Sequence, residues 1–479
     1  MFARFPDARR AGPMTAHLRA ALDAGPMNRF QWGAVAVCVV LNMLDGFDVL
    51  VMSFTGRSVS QEWGLRPTEL GLLLSAGLVG MAAGALFVAP WADRIGRRPM
   101  ILGALVVSGT GMLLSALSQS AVQLGALRAL TGVGIGTIIA GSNVIAGEYA
   151  SRRWRGLAVT LNSAGYAIGA TLGGLIAVGL LDTHGWRSVF LLGGIATLAA
   201  VPLVAVGLPE SLDFLVARRP PRALESINTL ARRLGQPPLE RLPEAPTPTA
   251  GVAAGFRELL SPRLRRPTLT LWAAFFLTMA GFYFVTSWTP TLLVEAGLSG
   301  SQGLTGGTLL NLGGIFGATA IGALAARYAL RSVLMAYLAV TAVGLAAFVA
   351  ATSSLAAAFV LGAVIGVTAN GCVAGLYALT AVVYEPRIRA TGVGTAIGIG
   401  RIGAILAPTV AGGLLDGGWT PQQLYLAVGV VYVATAALLP ALRTGRPAAH
   451  PGAATTDGAR EAPKAGETLT APTARPESP

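Results

Sequence analysis

Charge is scarce in this sequence. Only 12% of its 479 residues are charged, and 53% are hydrophobic. A soluble domain carries roughly twice that charged fraction, which argues against a water-soluble globule. Cysteine is nearly absent too. The two cysteines, Cys38 and Cys372, fall in apolar runs and read as small packing residues, with no disulfide framework. A cleavable signal peptide is not expected, because residues 1–30 are polar and arginine-bearing and lack an apolar segment ahead of a small-residue cleavage site. Also missing are a nucleotide-binding loop, a metal-ligand cluster and a nucleophile elbow. An enzyme, a cofactor and ATP-driven transport by this chain alone are therefore not expected.

Apolar runs of about 20 residues recur along almost the whole length, each long enough to cross a bilayer. The fold class is an all-α polytopic membrane protein, with spans expected near 31–55, 69–91, 100–119, 121–147, 156–181, 187–208, 269–295, 302–327, 330–352, 354–383, 391–415 and 421–443. The 62 glycines suit close packing of membrane helices. A net charge of +13 invites a nucleic-acid reading. The arginines, however, cluster in short loops on one side, as the positive-inside rule requires, so the expected partner is the lipid bilayer and not nucleic acid. The organisation is a cytoplasmic leader (1–30), a first six-helix half (31–208), a central cytoplasmic loop (209–268), a second half (269–445) and a disordered cytoplasmic tail (446–479).

The halves carry a weak repeat. Asp93-Arg94-Ile-Gly96-Arg97-Arg98 after the second span aligns with Ala326-Arg327-Tyr-Ala-Leu-Arg331 after the eighth. Arg153-Trp-Arg-Gly156 before the fifth aligns with Arg389-Ala-Thr-Gly392 before the eleventh. Two homologous halves around a central site are an alternating-access architecture.

Asp45 and Asp48 lie inside the first span, where a carboxylate costs several kcal/mol, so it must face a wet cavity, pair with a cation or take a proton. Their spacing puts both on one helix face, and Gly46 lets a backbone or ligand come close. The competing reading is a helix–loop junction in the headgroup layer. Arg128 opens the fourth span and needs an anion. Asp48 lies roughly 22 Å from the cytoplasmic end of its span and Arg128 about 10 Å from the external end of its own. In a core of about 30 Å these depths nearly coincide, which pairs the two; the alternative is that Arg128 snorkels outward. Glu148 ends the fourth span as a gate residue or a proton carrier, with Arg152 and Arg153 near it in sequence. Asn143 is a further polar candidate in that span.

Arg401 sits about 14 Å into the eleventh span, near the midplane, with Gly400 and Gly403 making room. By the repeat its first-half counterpart is Gly165. A buried guanidinium suits a carboxylate held in bidentate fashion; the alternative is a permanent bridge to a protein carboxylate. Phe282, Tyr283, Trp288 and Asn311 are candidates for lining a substrate site, although such aromatics also serve as packing residues. In the loop after the second span, Asp93, Arg94, Gly96 and Arg97 form either a conformational latch or a simple topology marker.

That loop resembles the signature of the major facilitator superfamily, with Ala89 where glycine is usual. Asp45-Gly46-Phe47-Asp48, Arg128, Glu148, Arg389-Ala-Thr-Gly-Val-Gly and Gly400-Arg401-Ile-Gly403-Ala resemble, more narrowly, the aromatic acid:proton symporter family. So do Leu208-Pro-Glu-Ser-Leu-Asp-Phe-Leu and Ser287-Trp-Thr-Pro-Thr-Leu-Leu. Tyr384-Glu385-Pro386 departs from the expected Tyr-Pro. The resemblance implies a major facilitator fold and import of an aromatic carboxylate such as 4-hydroxybenzoate, protocatechuate or benzoate, driven by the proton gradient. It implies proton coupling at Asp45 and Asp48 with Arg128, substrate carboxylate binding at Arg401, and gating at Asp93, Gly96 and Arg389. The expected setting is a bacterial inner membrane, with both termini cytoplasmic and a monomeric chain. Symport of another organic anion, proton-driven export and sensing of aromatic acids are the competing functions.

Overall fold

The structure, a computed structural model, describes residues 22–23, 25–242, 252–350, 354–385 and 388–442. Most of the expected leader and all of the expected tail (446–479) lie outside the described residues. Among those described there is no strand, and twelve helices are long and apolar enough to cross a membrane. The first six are α1 (Arg29–Trp63), α2 (Pro67–Ile95), α3 (Arg97–Ala116), α4 (Ala121–Tyr149), α5 (Arg155–His184) and α6 (Trp186–Gly207). The second six are α7 (Arg265–Glu295), α8 (Gly300–Ala325), α9 (Leu330–Ala350), α10 (Leu355–Val383), α11 (Arg389–Asp416) and α12 (Pro421–Leu438).

Local chemistry sets the helix starts. Asn28 and Gln31 close a reciprocal capping box on α1, Ser299 and Gln302 do so on α8, and Thr420 and Gln423 on α12. Helix α1 runs on to Trp63, well past the expected end near 55. Its extra turns stay covered, since Val59 is buried and Glu62 accepts from the Trp186 indole at 2.6 Å and from Arg187 at 2.8 Å. Gly64, with φ 61°, then ends it in the left-handed conformation. The central loop is more ordered than its polar composition suggests. Helices Leu212–Arg218 and Ala223–Arg233 bury Leu212, Leu215, Ile227 and Leu230 in one cluster with Val37, Leu41 and Leu105 of the first half.

Within the first half, α1 packs on α5, α4 and α6, and α3 on α4 and α6; within the second, α7 packs on α11, and α8 and α9 on α10. The halves meet along α2–α11, α5–α8 and α1–α7. Exchanging the halves maps these three contacts onto themselves, as a duplicated chain requires.

Backbone-to-backbone approach dominates the packing of α2 on α4. A Cβ on Gly80 would lie 2.0 Å from the Ala129 carbonyl oxygen, and one on Gly84 2.1 Å from that of Val133. Reciprocally, Gly132 meets the Gly77 oxygen at 2.2 Å and Gly136 that of Met81 at 2.1 Å. Four glycines at four-residue spacing thus form one continuous seam, the small-residue packing that membrane helices use in place of hydrophobic expulsion.

The hydrogen bonds between the halves that join described residues all lie in the part of the bundle remote from the helix α1 start. Ser75 Oγ donates to the Ile405 carbonyl at 2.7 Å and meets Thr409 Oγ1 at 2.9 Å. Ser53 Oγ donates to the carbonyls of Thr286 and Ser287, each at 2.8 Å. Asp416 at the end of α11 accepts from the backbone N–H of Thr68 at 3.0 Å and closely from its hydroxyl. It thereby caps α2 across the interface. The bundle is shut at this far end.

Candidate functional site

Each residue of Asp45-Gly46-Phe47-Asp48 has a separate task. Asp48 is buried and forms an ion pair with Arg128 NH1, and its backbone carbonyl accepts from Arg128 NH2 at 2.7 Å. Ser108 of α3 donates to the other carboxylate oxygen at 3.2 Å. Thr131 Oγ1 takes a further Arg128 hydrogen bond at 3.0 Å, and the Phe190 ring lies 5.8 Å from the guanidinium carbon. The depth argument from sequence thus brings together the right two side chains, and Arg128 turns inward with only 2% exposure, excluding the snorkelling alternative. Phe47 fills a slot floored by glycine. A Cβ on Gly173 would lie 2.1 Å from its ring and one on Gly193 2.3 Å. Gly46 packs on the Tyr166 carbonyl of α5, where a Cβ would lie 2.0 Å from the oxygen. Asp45 is 2% exposed, and its Oδ2 has no hydrogen-bond partner among the described residues. Both aspartates lie inside the unbroken helix α1, so no helix–loop junction falls at them.

Across the interface, Arg401 is half-buried and forms no salt bridge with a described residue. Its NH1 donates to the Tyr283 hydroxyl at 3.3 Å. Tyr166 and Tyr377 also lie within electrostatic reach of the guanidinium. The permanent-bridge alternative finds no carboxylate here. Phe275 stands edge-on to Tyr377 at 5.5 Å between ring centroids and lines the Gly400 side of α11. Gly403 packs directly on the Phe276 carbonyl, which holds Arg401 in register against α7. The arrangement is a fixed cation in a wall of phenols, suited to one anionic group on an aromatic body.

Tyr166 and Tyr377 were not singled out from sequence. A lone tyrosine in a glycine-rich apolar helix reads as packing. The signal for Tyr166 is its place beside Gly165, the repeat counterpart of Arg401, which puts it on the facing side of the same pseudo-symmetric position.

The other lining candidates separate. Trp288 is a correction: its ring is 1% exposed and its indole N–H donates to the Pro408 carbonyl at 3.1 Å, so it cements α7 to α11 and presents no face for stacking. Asn143 is half-buried and accepts from Asn162 at 2.8 Å, within a polar cluster where Asn42 donates to Asn162 at 2.7 Å and to Ser142 at 3.1 Å. Asn311 is buried on α8 and donates to the Gly307 carbonyl at 2.9 Å. Neither hydrogen-bonds to Arg401.

The gate residues assemble around Arg97. It pairs with Glu148 at 2.5 Å and with Asp93 at 3.5 Å, and also contacts Ser211. Glu148 therefore belongs to this helix-end cluster, with Ser211 donating to it at 3.0 Å, and lies apart from Asp48 and Arg128. Glu210 completes the cluster and was missed from sequence. It accepts from the free N–H groups of Arg97 at 2.8 Å and Arg98 at 3.2 Å at the start of α3. Gly96, at φ 112°, makes the turn, and a Cβ there would strike the Glu210 carboxylate. Arg94 is exposed. Arg389 is exposed and donates to the Tyr384 carbonyl at 3.3 Å. Glu385, the departure noted above, lies 3.7 Å from Arg263 in an exposed pair.

The sequence matches the Major Facilitator Superfamily over residues 35–325 and 307–474. It is 34% identical to the gallate transporter of Pseudomonas putida over 87% of this chain and 92% of that protein. It is 32% identical to the 4-hydroxybenzoate transporter PcaK of the same organism, over 85% and 91%. It is 29% identical to the benzoate transport protein of Acinetobacter baylyi, over 82% and 86%. The fold is similar to the inward-open xylose transporter XylE from E. coli, with a TM-score of 0.68, 17% identity and 86% and 96% of the two chains covered. Twelve membrane-length helices in two six-helix halves, the Asp93-to-Arg98 loop and these likenesses lead to one conclusion: the chain belongs to the major facilitator superfamily and is a transporter, not an enzyme.

Proposed function

We propose that this protein imports an aromatic carboxylate together with protons by alternating access, the substrate being of the 4-hydroxybenzoate, protocatechuate, benzoate or gallate class. The observation that carries the reading is Arg401, a cation within α11 that forms no salt bridge with a described residue and has three tyrosines around it. The named substrates of the relatives, aromatic acids throughout, have the chemistry this site lacks. The proton gradient is the energy source, and no cofactor takes part.

The arginine-rich end that begins α1 faces the cytoplasm in this reading, which puts both termini there, in a bacterial inner membrane. The closed far end is then external and the site opens inward. Asp45 and Asp48 carry the coupling: Asp48 exchanges Arg128 for a proton as the halves rock, and Asp45 takes a proton at lower cost than it holds a buried charge. Asp93, Arg94, Gly96, Arg97, Glu148 and Arg389 control the cytoplasmic gate. A proton taken up at Asp45 or Asp48 while the anion sits at Arg401 limits the net charge that must cross.

Uptake of radiolabelled 4-hydroxybenzoate into proteoliposomes with an inward proton gradient tests the proposal. Accumulation that a protonophore abolishes, and that Arg401→Ala abolishes, is expected. Accumulation insensitive to the protonophore contradicts the coupling, and accumulation that survives Arg401→Ala contradicts the carboxylate site.

A further inference from the structure

Two amides sit inside apolar helices of the second half with hydrogen-bonding capacity left over. Asn311 is buried on α8. Its Nδ2 donates to the Gly307 carbonyl at 2.9 Å, while its Oδ1 accepts from no described residue. Asn370 on α10 is half-buried and makes no hydrogen bond with a described residue. An amide inside a membrane span is costly unless it finds a partner, which makes such a pair a binding-site candidate.

The two amides adjoin. A Cβ on Gly314 would lie 3.1 Å from Asn370 Nδ2, and one on Gly317 would lie 3.2 Å from Asn370 Cβ. Asn370 therefore rests on the glycine face of α8, and Asn311 is one turn before Gly314 on that helix. Both are turned away from lipid. Val360, Val364 and Val382 mark the exposed outer face of α10, and Leu312 and Phe316 that of α8. At 3.6 residues per turn, each amide is roughly 100° round its helix from that face. Tyr377, two turns after Asn370, shares its face and stands 5.5 Å from Phe275 between ring centroids. Asn370 is thus on the side of α10 that carries a wall residue of the Arg401 site. Counted by helix rise from the helix ends Ala325, Val383 and Arg389, the depths of Asn311, Asn370 and Arg401 agree within about 3 Å.

We infer that Asn311 and Asn370 form a subsite for a ring hydroxyl and select para-hydroxylated aromatic acids over unsubstituted ones. The inference rests on the aromatic-carboxylate reading above and narrows its substrate. A phenol has one donor hydrogen and accepting lone pairs. It donates to Asn311 Oδ1, the atom left over once Nδ2 is committed to Gly307, and accepts from Asn370 Nδ2. No proton is transferred. The para hydroxyl is the ring substituent farthest from the carboxylate, which suits amides that do not hydrogen-bond to Arg401. Benzoate leaves both amides unpaired, and a site built for a hydroxyl discriminates against the analogue lacking it for that reason.

The test compares ligands that differ only at the para position. Isothermal titration of the purified protein measures 4-hydroxybenzoate, benzoate and 4-fluorobenzoate with wild type, Asn370→Leu and Asn370→Ala. Wild type is expected to bind 4-hydroxybenzoate about tenfold more tightly than benzoate, the worth of one or two neutral hydrogen bonds. In both variants that ratio is expected to fall to about twofold or less. A change confined to packing moves both affinities together and leaves the ratio as it was, so an unchanged ratio in a folded variant overturns the inference. The wild type alone supplies a second measurement, independent of how the variants fold. There 4-fluorobenzoate, which fills the para position without a donor, is expected to bind like benzoate, and binding as tight as that of 4-hydroxybenzoate overturns the inference. A wild type that binds none of the three acids overturns the aromatic-carboxylate reading itself, so the two failures are distinguishable.

Discussion

Arg128 on α4 grips Asp48 on α1 twice, through the carboxylate and through the backbone carbonyl of the same residue. The second bond fixes the guanidinium to the helix whatever the charge on the carboxyl. A part for Asp48 in the proposed coupling would thus need only its carboxylate contact to break, while the carbonyl bond keeps Arg128 on the helix.

Removing one member of this pair leaves the other charge buried alone. Arg128→Leu is expected to destabilise the protein by about 3–5 kcal/mol, whereas Asp48→Asn combined with Arg128→Gln is expected to cost less than Arg128→Leu alone. Thermal unfolding in detergent checks both. Equal losses in the two proteins would mean that the pair contributes packing and no charge compensation.

The glycine seam makes a sharper stability prediction, because it separates glycines by surroundings. Gly132→Ala puts a methyl 2.2 Å from the Gly77 carbonyl oxygen and is expected to lower the unfolding temperature and the yield of folded protein. Gly179→Ala, with open space around its Cβ, is expected to leave both unchanged or raise them by removing backbone entropy, an effect of about 0.4–1 kcal/mol. Parallel melting curves for the two variants decide this.

The far-end closure depends on Asp416 capping α2 across the interface. Asp416→Ala is expected to shift the population several-fold toward opening at that end. Distance distributions between spin labels at Gln61→Cys and Trp419→Cys, both exposed in this conformation, read the shift as growth of a longer-distance component. An unchanged distribution would assign the closure to Ser75, Thr409 and the close approach of Gly71 to the Pro408 carbonyl and of Gly412 to that of Pro67 instead.

Arg401→Lys keeps the charge but loses the planar fork and the five donors. Binding of 4-hydroxybenzoate is expected to weaken about tenfold or more, since bonds between charged groups contribute about 1.5–3 kcal/mol each. Isothermal titration of the purified protein measures it. Unchanged affinity would place the substrate carboxylate elsewhere.

The sequence reveals the features whose cost in a membrane is high. Asp48, Arg128 and Arg401 stand out because a charge inside an apolar helix requires an explanation, and helix rise alone places Asp48 and Arg128 at one depth. The twelve spans are visible for the same reason. Features that depend on which helix faces which are not visible. Trp288 looks like a stacking platform until Pro408 is seen beneath it. Glu210 looks like a loop acid until the start of α3 is seen to donate to it across a gap of over a hundred residues in sequence. The central loop hides its helices because their apolar residues serve another element's core. Tyr166 is silent for a related reason: the glycine that packs on its carbonyl, Gly46, comes from another helix.

The central claim is that aromatic acid and proton move together, and substrate-driven proton movement tests it most directly. Proteoliposomes with a trapped pH dye and no imposed gradient receive external 4-hydroxybenzoate. The account predicts acidification of the lumen beyond that of protein-free liposomes with wild type, and none beyond it with Asp48→Asn or Arg401→Ala. Labelled substrate entering through the wild-type protein with no excess acidification would contradict it.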